Sequence, residues 1–239
     1  IQNDRLNKEM LDRHRLEREF QLAREIQQTF LPNQIPELSG WEMDVRWETA
    51  RQVGGDFYDF FILPDGRLAF LIADVSDKGL AASLYMAVTR TILRTVALEF
   101  DSPATILEHV NDLLLENSQN GLFVTIFYGI LDLNTGYLTY TNAGHNPPVV
   151  IRPQSNDVIT LRKGGIALGA LPDIHLPLYE TTLKNGDCLI LYTDGVTEAF
   201  NLQDQMYGEE RFLQVLQGLM GTSTSKVLET LEKDLENFR

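Results

Sequence analysis

The sequence predicts an α+β layered sandwich, with antiparallel sheets at the centre and helices segregated onto the outer faces. Three observations carry this. Strand-like segments come in runs, not in alternation with helices, which argues against parallel βαβ units. Neighbouring strands are separated by short turn signals such as Pro64-Asp65-Gly66 and Asn134-Thr135-Gly136. Two helical stretches interrupt the strands once, and two more close the chain.

Residues 1–31 are densely charged, lack Gly and meet their first Pro at Pro32. Leu16, Phe20, Ala23, Gln27 and Phe30 follow steps of four and three, a coiled-coil seam. Leu6 and Met10 lie out of phase with it, so the register shifts. At 1.5 Å per residue this is an exposed helix of ~40 Å. We read it as a helical signalling linker that pairs with a second copy, giving a homodimer. The remainder, 32–239, reads as one domain.

That domain opens with "WEMDVRWETA", which alternates as a strand does. "FYDFFIL" and "RLAFLIADV" follow as a hairpin, then the apolar helix "GLAASLYMAVTRTILRTVALEF". "SPATILEHVNDLLLENS" has Ser102 as N-cap and Pro103 at the first helical position. "LFVTIFYGILDL" pairs with "YLTYTNAG", and "PVVIR" with "DVITLR". After a Gly-rich loop come the strands "LPLYETTL" and "CLILYTDG", then helices in "GEERFLQVLQGLM" and "STSKVLETLEKDLENF".

The 239 residues carry 34 acidic and 20 basic side chains, a net charge of -14. That balance argues against nonspecific binding of nucleic acid, which rests on Lys and Arg at phosphates, and against anionic membrane surfaces. No apolar run reaches the ~18 residues that span a bilayer, and no stretch of these residues reads as a signal peptide. Cys188 has no cysteine partner, which fits a small buried hydrophobe in a reducing, cytoplasmic setting. A chain beginning at Ile1 is expected to be a piece of a longer protein.

Asp56, Asp74 and Asp194 end apolar strands, each flanked by Gly or a small residue. A buried carboxylate costs several kcal/mol unless paired or bound to a cation. Lys78 is the nearest basic residue in sequence to Asp74. Each Asp alone could simply open a turn; together they point to hard oxygen ligands for a divalent ion. Asp59 lies three residues past Asp56 and faces the other way in a strand, and Asp77 could cap the helix that follows. His14, His109 and His175 read as structural or exposed, and His145 as a ring that bonds locally in its loop. No G-x-S-x-G elbow and no phosphate-binding Walker loop occurs.

"GGDFYD", "ADVSDKG", "NAGHNPP", "ALG" and "LYTDGVTEA", in this order, resemble the bacterial type 2C-like metal-dependent serine/threonine protein phosphatases. The branch is that of sporulation stage II protein E and the Rsb phosphatases, and the preceding "LAREIQQTFLP" resembles it too. The resemblance implies a four-layer αββα sandwich holding two Mn²⁺ or Mg²⁺ ions. Asp74 would match the bridging ligand, with the Val75 carbonyl nearby, Asp194 a second ligand, and Asp56 a ligand of a metal or its waters. It also implies a phosphorylated anti-sigma-factor antagonist (STAS) domain as substrate and a sensor domain upstream. A non-catalytic phosphatase-like module that binds a partner is the alternative. Two departures stand out: Asp77 replaces a usual Gly, and the terminal strand with a further Asp ligand is missing before Arg239. Asp234, on the last helix, is not a substitute.

Overall fold

In the computed structural model, which describes residues 2–49, 52–117 and 121–239, the first element is helix α1, Gln2–Phe30. Its surface is laced by bonds one turn apart: Arg13 to Glu17, Arg15 to Glu19 and Gln21 to Glu25, each at 3.1 Å. Such exposed pairs contribute only ~0.2–0.5 kcal/mol each. The helix owes its seat to its last turns, where Phe30 and Leu31 join the apolar core.

Strands β1 (Phe57–Ile62) and β2 (Leu68–Val75) form the expected hairpin, from Phe57 opposite Ala73 to Ile62 opposite Leu68. The turn is closed by Leu63 N–H to the Arg67 carbonyl at 2.8 Å, and Gly66 takes φ 89° there, which glycine adopts without strain. Helices α2 (Leu80–Val96) and α3 (Pro103–Asn117) follow, then β3 (Val124–Leu131), β4 (Tyr137–Ala143), β5 (Val149–Arg152), β6 (Asp157–Thr160), β7 (Tyr179–Thr182) and β8 (Cys188–Ile190). The short α4 (Asp194–Thr197), then α5 (Gly208–Gln217) and α6 (Thr224–Phe238), end the chain.

All strand pairs are antiparallel, in one sheet ordered β1-β2-β3-β4-β7 and a second ordered β6-β5-β8. Three apolar layers separate four structural ones. Leu71, Ala73, Ile126, Tyr128 and Ile130 face Met86, Leu93, Ile106 and Val110 of α2 and α3. Phe70, Phe127, Leu138 and Tyr140 meet Val150 and Leu189 between the sheets. Val149, Ile151 and Ile190 face Phe212, Leu216, Val227 and Leu231 of α5 and α6. Adjacent residues Val149, Val150 and Ile151 thus serve opposite layers, as the two-residue period of a strand requires. This is the αββα sandwich.

Two expectations are corrected. The stretch 41–49 is not a strand; its one bridge pairs Leu38 with Trp41. Its alternation is real, because Met43 and Val45 pack on the inter-sheet layer. Period-2 burial needs only an extended chain with one face on a core, not a ladder. Side chains hold it instead: Trp41 Nε1 to the Leu133 carbonyl at 2.9 Å, and Arg46 to Glu232 at 2.6 Å. Likewise the seam on α1 does not face outward throughout. Leu16 is exposed, but Gln27 is buried and Phe30 packs on the chain's own core. Among the described residues no helix is long and apolar enough to cross a membrane.

Candidate metal centre

The hairpin register decides the first contact. Phe57 pairs with Ala73, so the next position outward sets Asp56 opposite Asp74. Side chains facing each other in this way stand ~4.5–5.5 Å apart at Cβ, and here the two carboxyl groups share a hydrogen bond. Asp194 arrives from the second sheet, at the first position of α4 just beyond β8. Thr193, which precedes it, donates its hydroxyl to Asp56 Oδ2 at 2.8 Å.

These groups crowd negative charge into a half-buried space. Burial, then the hydrogen bond and charge of Asp56, then Asp194, push the Asp74 carboxyl up to about 8; Lys78 opposes weakly. Asp194 is also raised, by burial first and then by Glu198 and Asp56, against Lys78 and the Gly195 N–H. The donors are carboxylates with one lysine as counter-charge, a set that suits a hard divalent cation. Gly55 admits the chain at close quarters: a Cβ there would stand 2.7 Å from the Val75 carbonyl oxygen and 3.1 Å from its Cβ. Val75, the last residue of β2, therefore borders the centre with its main chain. Among the described residues no three acidic, His or Cys side chains stand in finished ligand geometry. The carboxylates share one field without closing around one point.

Gly55→Ala is expected to force the start of β1 away from the end of β2, parting Asp56 from Asp74. Overpacking of this kind costs ~1–3 kcal/mol. A thermal melt reads that loss, and calorimetric titration should show weakened binding of Mg²⁺. An unchanged melt and affinity would mean that the close approach is not needed.

The other weighed residues fall elsewhere. Asp59 is buried against α2, ion-paired with Arg90 at 2.9 Å and Arg94 at 2.6 Å. Asp77 does not cap α2. It takes φ 76° and accepts Lys78 N–H at 2.7 Å, while Gly79 stands at the N-cap. The left-handed backbone explains why glycine suits this position. Asp234 pairs with Arg211 at 2.9 Å and Tyr207 at 2.7 Å, far along the chain from the centre. His109 stacks on Phe100 at 4.2 Å, and His175 is exposed. Cys188 is half-buried against the outer core of the smaller sheet, and burial pushes its thiol up.

Several neighbours escaped the sequence reading. Thr193 stood beside a chosen residue, in "YTDG", and its hydroxyl was the available signal. Thr125, opposite Asp74 in β3, and Gln27 carried none. Gln27 grips Gly54 with Nε2 to its carbonyl at 2.6 Å, and accepts the Gly54 N–H at 3.3 Å. Helix α1 is thereby tied to a residue two before Asp56. His145 is deeply buried, with Nδ1 at 3.0 Å from Thr125 Oγ1. Burial brings its ring down to about 4, only partly offset by the Asp56 charge and the Tyr192 main chain.

The family model described as Stage II sporulation protein E (SpoIIE) matches residues 64–239. This chain belongs to the SpoIIE family. It carries a phosphatase domain of the type 2C fold, in the branch that includes the Rsb phosphatases. Among relatives, Protein IcfG of Synechocystis sp. is 32% identical, over 91% of this chain and 38% of its own length. Phosphoserine phosphatase RsbU of Bacillus subtilis is 28% identical, over 75% of this chain and 53% of its own. The chain thus spans about half or less of these relatives. In structure, the SiaA-PP2C domain of Pseudomonas aeruginosa shares the fold with a TM-score of 0.81, at 18% identity, covering 95% of this chain and 92% of that one. The four layers seen here are therefore those of the type 2C phosphatase fold.

Proposed function

We propose that this domain hydrolyses phosphoserine or phosphothreonine on a protein, and that the substrate is a STAS-type anti-sigma-factor antagonist. The observation that carries the reading is the Asp56–Asp74 pair, set face to face by the β1–β2 register and joined by Asp194 in one charged field. In this reading Asp56, Asp74, Asp194 and the Val75 carbonyl hold Mn²⁺ or Mg²⁺. When bound, such ions lower the pKa of a water for attack on phosphorus and offset the charge of the phosphoryl oxygens. The chain's own residues prepare the site. Thr193 fixes the rotamer of Asp56 by its hydrogen bond. Asp74 must release a proton to act as a ligand, and Lys78 favours that release. Gln27 and Gly55 set the main chain that carries Asp56.

The name of RsbU, a phosphoserine phosphatase, supports phosphoserine as the group hydrolysed. We further infer a homodimer formed through the exposed part of α1, which includes Leu16, and a sensor domain joined to that helix in the whole protein. The site is acidic, in a chain of net charge -14, so recognition leans on the cations and on surface shape. Binding energy from the rest of a protein substrate raises turnover at the reacting bond, so small aryl phosphates should be hydrolysed far more slowly than a phosphoprotein. The test is phosphate release from a phosphorylated STAS protein with added Mn²⁺, run on the whole protein beside an aryl phosphate. Equal rates on both would overturn the protein-substrate reading, and no release from either would leave a partner-binding module.

A further inference from the structure

The loop between α4 and α5 is built more firmly than a connection requires, and it shows apolar side chains to solvent. Its two ends are buried. Ala199 and Tyr207 belong to the outer core of the smaller sheet, and the Tyr207 N–H donates to the Ala199 carbonyl at 2.8 Å. One step outward Phe200 bridges Met206, antiparallel, so these two side chains stand on the face away from that core. Asn201 then closes the tip. Its N–H donates to the Gln205 carbonyl at 3.0 Å, and its own carbonyl accepts the Asp204 N–H at 3.1 Å. Its side-chain oxygen accepts the Gln203 and Gln205 N–H groups at 3.0 and 2.9 Å, as an Asn that stands in for a turn does.

Three large apolar side chains project from this frame. Phe200 is 56% exposed, Met206 50% and Leu202 90%, the last the highest among the exposed large hydrophobic residues described. None of the three packs on one of the apolar layers. Apolar residues scattered singly over a surface need no explanation. Three within seven residues, on one hydrogen-bonded frame, form a prepared surface. Side chains ordered in advance lose little freedom when a partner covers them.

Position says what covers them. Phe200 is six residues past Asp194, and α4 takes up the first three steps. At ~1.5 Å per helical step and at most ~3.6 Å per extended one, the tip starts within ~16 Å of the metal centre. A standard interface buries ~800 Å² on each partner, a disc of ~16 Å radius. A folded protein with its phosphoryl group at the carboxylates therefore covers this tip, and an aryl phosphate does not reach it. Charge agrees. Glu198, Asp204, Glu209 and Glu210 border the tip and are exposed. A second copy would bring like charges together there, whereas a partner with a basic rim would meet opposite ones.

We propose that residues 199–207 are a docking tip for the phosphoprotein substrate, in which Leu202, flanked by Phe200 and Met206, enters an apolar groove rimmed by Lys or Arg near the substrate's phosphorylated residue. The tip rests on the protein-substrate reading given above and adds the chemistry of the recognised surface. The metal centre takes the phosphoryl group, and the tip selects the protein that carries it.

The test measures phosphate release by the whole protein with added Mn²⁺, from a phosphorylated STAS protein and from an aryl phosphate. Leu202→Asp should lower kcat/KM for the phosphoprotein ~10–100-fold, the size of losing one buried Leu side chain. Its rate on the aryl phosphate and its melting temperature should match the parent's, because so exposed a side chain supports neither the carboxylates nor the core. Leu202→Met, which keeps the apolar volume, should retain most of the parental kcat/KM. Parental kcat/KM on the phosphoprotein in Leu202→Asp overturns the docking tip, and so does an equal loss on the aryl phosphate. A variant that loses only self-association, read by sedimentation, assigns the tip to a second copy and overturns it too. A parent that releases no phosphate from the phosphoprotein overturns the protein-substrate reading and the tip with it.

Discussion

Asp74→Asn is expected to abolish cation binding and phosphatase activity while making the metal-free protein more stable near and above neutral pH. Asp74 ordinarily loses its proton near 3.8; in the fold it keeps it up to about 8. The folded state therefore holds a proton that the unfolded chain has released across this interval. Stability from this group is complete below 3.8, declines as pH rises, and is gone above about 8. Asn cannot ionise, and its amide can still donate to Asp56, so the decline should be flattened in the variant. Each ~1 kcal/mol regained raises the melting temperature by ~2–4 °C in a chain of this size. Bound Mg²⁺ should reverse the order. It stabilises the parent by mass action, whereas the variant, short of the carboxylate shared between two neighbours, should gain nothing. Loss of activity should exceed the ~10–100-fold that follows removal of a supporting partner. Melting curves from about pH 5 to about pH 9, with and without saturating Mg²⁺, test every part of this. A variant that melts below the parent at high pH without metal would show that the carboxylates do not strain the fold.

Asp59→Asn should unfold the domain more readily than any other single polar change near the centre. The Asp59 side chain is 0% exposed and faces two guanidinium groups, of which Arg90 is 14% exposed and Arg94 40%. Arg94 binds it through both arms, at 2.6 and 2.7 Å, and also stacks over Phe61 at 4.8 Å. Removing one partner of a buried ion pair leaves an uncompensated charge and costs ~3–5 kcal/mol. Arg90 bears that cost, because it cannot swing into water as Arg94 can. Replacing Asp59 and Arg90 together with apolar residues of similar volume should recover most of the loss, because desolvation then disappears for both. Urea unfolding of the single and double variants decides the matter. A loss under ~1 kcal/mol for Asp59→Asn is the size of an exposed pair, and would contradict the burial seen here. The pair also anchors α2, whose first residues follow Lys78 beside the metal centre. A weakened anchor should therefore lower Mg²⁺ affinity as well.

Much of this protein was legible in its residues. Runs of strand-like alternation with two helical insertions implied antiparallel sheets under outer helices. The turn at Pro64-Asp65-Gly66 set the hairpin register, and that register alone brings Asp56 opposite Asp74. The three-residue offset between Asp56 and Asp59 likewise sent the second carboxylate to the other face, where it meets α2. These are local facts, because a strand's period and a short turn are properties of consecutive residues.

Tertiary packing decided the rest. Alternation over 41–49 is the same whether an extended chain is hydrogen-bonded in a sheet or only laid against one, and the stacking of the sheets selected the second. The α1 seam read as facing a second copy; the seat of Phe30 in the core and the grip of Gln27 on Gly54 set that part of the helix against its own domain. The partners of Asp56 and Asp74 from Thr193 and Thr125, and of Thr125 from His145, could not be read in advance. They lie on other strands and loops, and their distances depend on how two sheets pack face to face, which no spacing along the chain encodes. Sequence periodicity says which face a side chain occupies; only the packing of layers says what stands opposite that face.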